Sequence, residues 1–98
     1  MKNENKYQGE LKKRLLAKFP GSIVLKNDPS NFQGVCDLII LSPKGKWAGL
    51  EVKRSSTASH RPNQDYWVGV MDKMAFARFI YPENEREVLD ELSEFFKA

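Results

Sequence analysis

Three side chains near the middle of the chain have the types and spacing to handle a hard cation and a phosphate. Asp37 opens an apolar run, Leu38 to Leu41, and Glu51 and Lys53 stand two apart in a second run that begins at Trp47. Residues two apart on a strand point to one face. Charges inside apolar strands are costly unless something pairs with them. Carboxylate oxygens with water and substrate phosphate are the ligands that Mg²⁺ accepts. Such an ion polarises a phosphodiester and activates water. A lysine beside it can orient that water or offset charge developing on phosphorus.

This chemistry needs a hairpin. Ser42-Pro43-Lys44-Gly45 separates the two runs. Pro43 suits the first turn position, and Gly45 suits a left-handed residue closing a three-residue loop. With 43–45 as that loop, Ser42 pairs with Lys46, and paired numbers sum to 88. Asp37 then faces Glu51, with Cβ atoms about 4.5–5.5 Å apart, where like charges repel unless a cation intervenes. The carbonyl of Val52 would lie near that cation, and Glu10 from the first helix could add a carboxylate. From the residues alone two readings stand: a metal site, or a charge cluster paired at the surface. Glu10 has the corresponding bland role, a helix-surface ion pair with Arg14.

The elements around the hairpin follow from periodicity. Tyr7, Leu11, Leu15 and Phe19 recur every four residues and predict a helix over 4–19, stopped by Pro20-Gly21. Ile23 to Leu25 reads as a strand and Lys26 to Gln33 as a polar loop. Pro62 can start a helix carrying Tyr66, Trp67, Val70, Met71 and Met74. Gly69 weakens that helix by about 1 kcal/mol. Ala75 to Tyr81 reads as a strand, and Asn84 with Glu87 has capping-box spacing. Val88, Leu89, Leu92, Phe95 and Phe96 mark a C-terminal amphipathic helix. The order α-β-β-β-α-β-α predicts an α/β fold. Its third and fourth strands should be parallel across a right-handed helical crossover.

Composition narrows the classes. The 98 residues suit one domain, 1–98, with 41% hydrophobic residues for one modest core and a groove rather than a deep pocket. One cysteine, Cys36, permits no intrachain disulfide, and one histidine, His60, argues against nucleophile–histidine catalysis and zinc. No signal-peptide pattern or membrane-length apolar run is present, so a cytoplasmic protein without membrane association is expected. The net charge of +3 is unevenly spread. Between 42 and 61, five basic residues face Glu51 alone, whereas 83–98 carry six acids and two bases. Such asymmetry suits a face that meets a polyanion. Lys26, Lys44, Lys46, Arg54, His60 and Arg61 flank the hairpin in sequence; each alone suits a solvated surface, and as a group around a metal site they are the expected contacts to such a polyanion, DNA if the resemblance below holds.

The motifs also resemble a known family. Asp37, then Glu51-Val52-Lys53 across a hairpin, is similar to the PD-(D/E)xK nucleases. More narrowly, the chain resembles the virus-type replication-repair nuclease (VRR-NUC) domains. These show a Gly-Val-Pro-Asp strand entry, Glu-x-Lys, a Ser/Arg-Pro-x-Gln helix start, and a last strand and acidic-capped helix. The counterparts here are Gly34-Val35-Cys36-Asp37, Glu51-Val52-Lys53, Arg61-Pro62-Asn63-Gln64 and Pro82-Glu83-Asn84. Cys36 replaces the family's proline, and Gly69 is unusual within the helix. The resemblance spans nearly the whole chain and implies a restriction-endonuclease-like core with a mixed four-stranded sheet flanked by helices. It further implies metal ligation by Asp37 and Glu51, a catalytic role for Lys53 and a supporting one for Gln64. Glu10 matches the family's first-helix acid, with Glu4 as the alternative. The activity expected is that of a Mg²⁺- or Mn²⁺-dependent, structure-selective DNA endonuclease without a small-molecule cofactor. By the same resemblance it would be a homodimeric Holliday-junction resolvase acting on branched or four-way DNA in a bacterial or phage-infected cell. A flap, nicking or restriction-like nuclease, or a non-catalytic nucleic-acid-binding module of the same fold, are the alternatives.

Overall fold

A computed structural model describes residues 3–28, 30 and 32–98. Helix α1 (Glu4–Lys18) starts at Asn3, whose side chain accepts from the Lys6 amide at 2.7 Å. Strands β1 (Ile23–Lys26), β2 (Leu38–Leu41) and β3 (Trp47–Val52) follow. Helix α2 (Pro62–Met74), strand β4 (Ala77–Ile80) and helix α3 (Glu85–Lys97) complete the order. The sheet runs β1-β2-β3-β4; the first two pairings are antiparallel and β3–β4 is parallel. This is the expected mixed α/β, restriction-endonuclease-like sheet. No helix among the described residues is long and apolar enough to cross a membrane.

The hairpin has the register its turn chemistry predicts. Leu38 pairs with Leu50 and Leu41 with Trp47. The Ser42 amide donates to the Lys46 carbonyl at 2.8 Å, and Gly45 closes the turn at φ 91°. Alternation then sorts the side chains. Leu38, Ile40, Ala48, Leu50 and Val52 join Leu11, Leu15, Leu92 and Phe96 in the main core on the α1/α3 side. The opposite face carries Ile39, Gly49 and Glu51, and α2 covers its β3–β4 half with Val68 and Met71. A Cβ on Gly49 would come within 2.7 Å of the Met71 methyl and 3.0 Å of Cys36 Sγ, so a glycine here lets α2 lie close to the sheet.

Two local expectations need correction. The Asn84–Glu87 capping box does not form. Asn84 instead accepts from the Tyr81 amide and donates to the Phe79 carbonyl, closing the chain reversal after β4. Glu85 is drawn to α1, where it accepts from the Tyr7 hydroxyl at 2.8 Å and pairs with Arg14. The strand expected over 75–81 is shorter because Ala75 still caps α2, donating its amide to the Met71 carbonyl. Gly69 lies inside α2, and a Cβ there would meet nothing within 4 Å. Gly69→Ala should therefore stabilise the protein by about 0.5–1 kcal/mol, raising the thermal midpoint by about 2–8 °C. A circular-dichroism melt checks this, and a lowered midpoint would refute it.

Candidate active site

Asp37 reaches the site through a constrained approach. Gly34 has φ 94°, and a Cβ on it would stand 2.9 Å from both Asn63 Nδ2 and Trp67 Cδ1. The chain therefore lies directly on α2 before turning through buried Cys36. The Asp37 carbonyl accepts from the Asn27 amide at 2.7 Å, and its carboxylate accepts from the Val52 amide at 2.9 Å. Because the N–H and C=O of one strand residue point the same way, the Val52 carbonyl also faces the Asp37 side.

Glu51 projects from β3 beneath α2 and is only 2% exposed. Its Oε2 accepts from Gln64 Nε2 at 2.9 Å. Its Oε1 is the one buried side-chain oxygen without a hydrogen bond among the described residues. The carboxyl is pushed up to about 8, first by burial and then by the Asp37 carboxylate, which lies within hydrogen-bonding reach; Lys53 opposes the rise. A carboxyl displaced this way by burial and a neighbouring charge, in a cleft, makes Glu51 a candidate functional residue.

Lys53 is 6% exposed, and its Nζ donates to Gln64 Oε1 at 2.8 Å and to the Ser59 carbonyl at 3.2 Å. Gln64 Oε1 also accepts from the Arg61 amide at 2.9 Å. One amide thus ties together Glu51, Lys53 and the first turn of α2. Cys36, whose thiol is pushed up to about 12 by burial and then by Glu51 and Asp37, is an inert packing residue.

Asp37, Glu51, Lys53 and Gln64 line one cleft of about 520 Å³. Four of the six expected DNA contacts, Lys26, Arg54, His60 and Arg61, line it too. His60 is already engaged: its ring stacks on Phe79 with centroids 3.9 Å apart, and its Nδ1 bonds Asp65 at 2.9 Å.

Lys44 and Lys46 do not line the cleft. The carboxylates sit at the open end of the hairpin and these lysines at its turn. Five residue steps along the strand, roughly 17 Å, separate the two ends. Lys46 Nζ instead donates to the carbonyls of Phe95 and Ala98 at the end of α3, where a cation suits the helix dipole.

Glu10 is likewise absent from the cleft, and its charge acts on Arg14. The acid that α1 brings is Glu4, with Gln8 one turn on. Glu4 adds a small push to the Glu51 carboxyl. Positions 4, 8, 11 and 15 share a helix face, so extending the Leu11–Leu15 stripe backwards would have found Glu4.

No group of three or more Asp, Glu, His or Cys suited to a metal ion gathers among the described residues. Two carboxylates, one with a buried oxygen lacking a partner, and a main-chain carbonyl on the same side nevertheless fit a hard divalent cation. Mg²⁺ is held by one or two carboxylates and completes its shell with water and phosphate.

A solved structure described as a "VRR_NUC domain" is similar to this chain, with a TM-score of 0.65 and 26% sequence identity. The match covers 80% of this chain and 82% of that one. No protein-family model matches, and no curated protein does. The chain is a VRR-NUC-like domain with the fold of that structure.

Proposed function

We propose that this VRR-NUC-like domain is a divalent-metal-dependent, structure-selective DNA endonuclease that hydrolyses phosphodiesters at four-way junctions as a homodimer. The observation that carries the reading is the partnerless buried Oε1 of Glu51 beside the Asp37 carboxylate. Ionising Glu51 beside the Asp37 carboxylate is costly in this buried position, and a bound cation would offset that cost.

Asp37, Glu51 and the Val52 carbonyl would hold Mg²⁺ or Mn²⁺. When bound, such an ion polarises the scissile phosphate and makes its water more acidic. The Lys53 ammonium would donate a hydrogen bond to the phosphate oxygen on which charge develops. Gln64 is a positioning residue, holding Glu51 and Lys53 in register. Lys26, Arg54 and Arg61 bind flanking phosphates, so binding weakens with salt. No motif reads bases. A dimer suits two symmetric incisions. Ile23, Leu25 and Leu41, exposed on the β1–β2 part of the sheet that α2 leaves uncovered, supply apolar surface for it.

The test offers a four-way junction, a flap and linear duplex to the protein with Mg²⁺, Mn²⁺ or chelator. Junction cleavage that requires the metal is expected. Cleavage that survives chelation would overturn the metal chemistry, and equal cleavage of linear duplex would overturn structure selectivity. Sedimentation in which the cutting species has the mass of one chain would overturn the dimer.

A further inference from the structure

We infer that Phe32 is a stacking platform for an unpaired nucleobase beside the scissile phosphate. The cleft therefore takes DNA that is locally single-stranded at a branch point rather than continuous duplex. This rests on the nuclease reading and specifies its substrate.

Phe32 is 48% exposed yet lines the same cleft as Asp37, Glu51 and Lys53. It is the one carbocyclic aromatic there among the described residues. The other aromatic ring in the cleft, His60, is stacked on Phe79. The remaining exposed large apolar side chains, including Ile23, Leu25 and Met74, lie outside the cleft.

Phe32 is also held in place. Trp67 meets its ring edge to face with centroids 5.0 Å apart, and Tyr66 braces Trp67 in the same way at 5.1 Å. The Phe32 carbonyl accepts from Asn27 Nδ2 at 3.2 Å. Two residues on, Gly34 seats the chain on Trp67 and Asn63. An exposed phenyl ring in a loop braced against Trp67 of α2, in a cleft that also holds Lys26, Arg54 and Arg61, is the combination of stacking surface and cations that binds single strands. Stacking accepts any base, because every base has a π-face. That agrees with a site selective for structure and indifferent to sequence.

The test uses as its branched DNA a forked duplex carrying 2-aminopurine at the first unpaired position, bound to the Asp37→Asn protein so that the strand stays uncut. Stacking should quench the fluorophore. Adding Phe32→Leu should remove the quench and weaken binding of branched DNA about 5- to 100-fold. Binding to linear duplex should change less than about twofold. Phe32→Tyr, which keeps an aromatic ring, should restore both signals, which separates stacking from a folding defect. Quenching that persists in Phe32→Leu, equal weakening on duplex, or no rescue by Tyr would overturn the proposal. A wild-type protein that cuts no DNA but still quenches would count against the nuclease reading alone.

Discussion

Replacing Asp37 by Asn should abolish DNA cleavage and, in the same protein, raise the stability of the metal-free fold. Cleavage should fall by about 10³-fold or more, because the substitution removes one of two carboxylates available to the cation. The stability gain follows from what Asp37 does without the metal. Its carboxylate lies beside buried Glu51 and is the second-largest cause, after burial, of the rise in the Glu51 carboxyl to about 8. Asn retains an oxygen to accept the Val52 amide, so that contact survives while the charge goes.

The gain depends on pH with a definite sign. Glu51 has an ordinary value of 4.5 and a folded value of about 8. Between these the folded chain keeps a proton that the unfolded chain releases, so stability falls as pH rises through the interval. The Glu51 contribution is highest below 4.5 and levels off above about 8. Asp37→Asn lessens that fall. The variant should exceed wild type by about 1–3 kcal/mol at pH 9 and converge with it towards pH 4.5. Urea denaturation in chelator across this range measures it. Adding Mg²⁺ should stabilise wild type and leave the variant unmoved. A variant less stable than wild type at pH 9 would refute the account.

The parts of the site that could be read from sequence are those governed by short-range stereochemistry. Pro43 and Gly45 determine the turn, the turn determines the register, and the register places Asp37 opposite Glu51. Pro62 does the same for the start of α2, and Gln64 arrives within its first turn; of the apolar positions expected on that helix Met71 is buried, whereas Tyr66 and Met74 are exposed and Val68, not among them, completes the buried face. What could not be read depends on how one element is rotated or translated against another. Glu10 and Glu4 both lie on α1; the face shared by positions 4, 8, 11 and 15 points to Glu4, but that this end of the face reaches the cleft depends on how α1 docks on the sheet. Lys44 and Lys46 are close to Glu51 in sequence but lie at the far end of a strand, one of them drawn to α3. Asn84 has the composition of a cap, yet the end of β4 makes a stronger claim on its side chain. Phe32 sits in a polar loop that carries no periodic signal. Its importance appears only once Gly34 folds that loop onto Trp67.

Lys53→Met should lower cleavage by about 10²–10³-fold while leaving the fold intact, and its pH behaviour identifies what the lysine does. Methionine retains much of the apolar stem of a side chain that is 6% exposed. Gln64 Oε1 loses the ammonium but keeps the Arg61 amide, so no buried acceptor is stranded. An ammonium has three N–H donors; two serve Gln64 and Ser59, and the third is left to the cleft. Two separable defects follow. Lys53 counteracts the rise of the Glu51 carboxyl; without it Glu51 gives up its proton less readily and binds metal more weakly at pH 7. Raising the pH to 9 should restore metal binding, as read by calorimetric titration, because only deprotonation of Glu51 is at issue. Single-turnover cleavage at saturating metal should remain depressed at both pH values, since no pH returns the donor to the phosphate. Recovery of the rate together with metal binding would reduce Lys53 to a tuner of Glu51, and cleavage within tenfold of wild type at pH 7 would remove it from the chemistry.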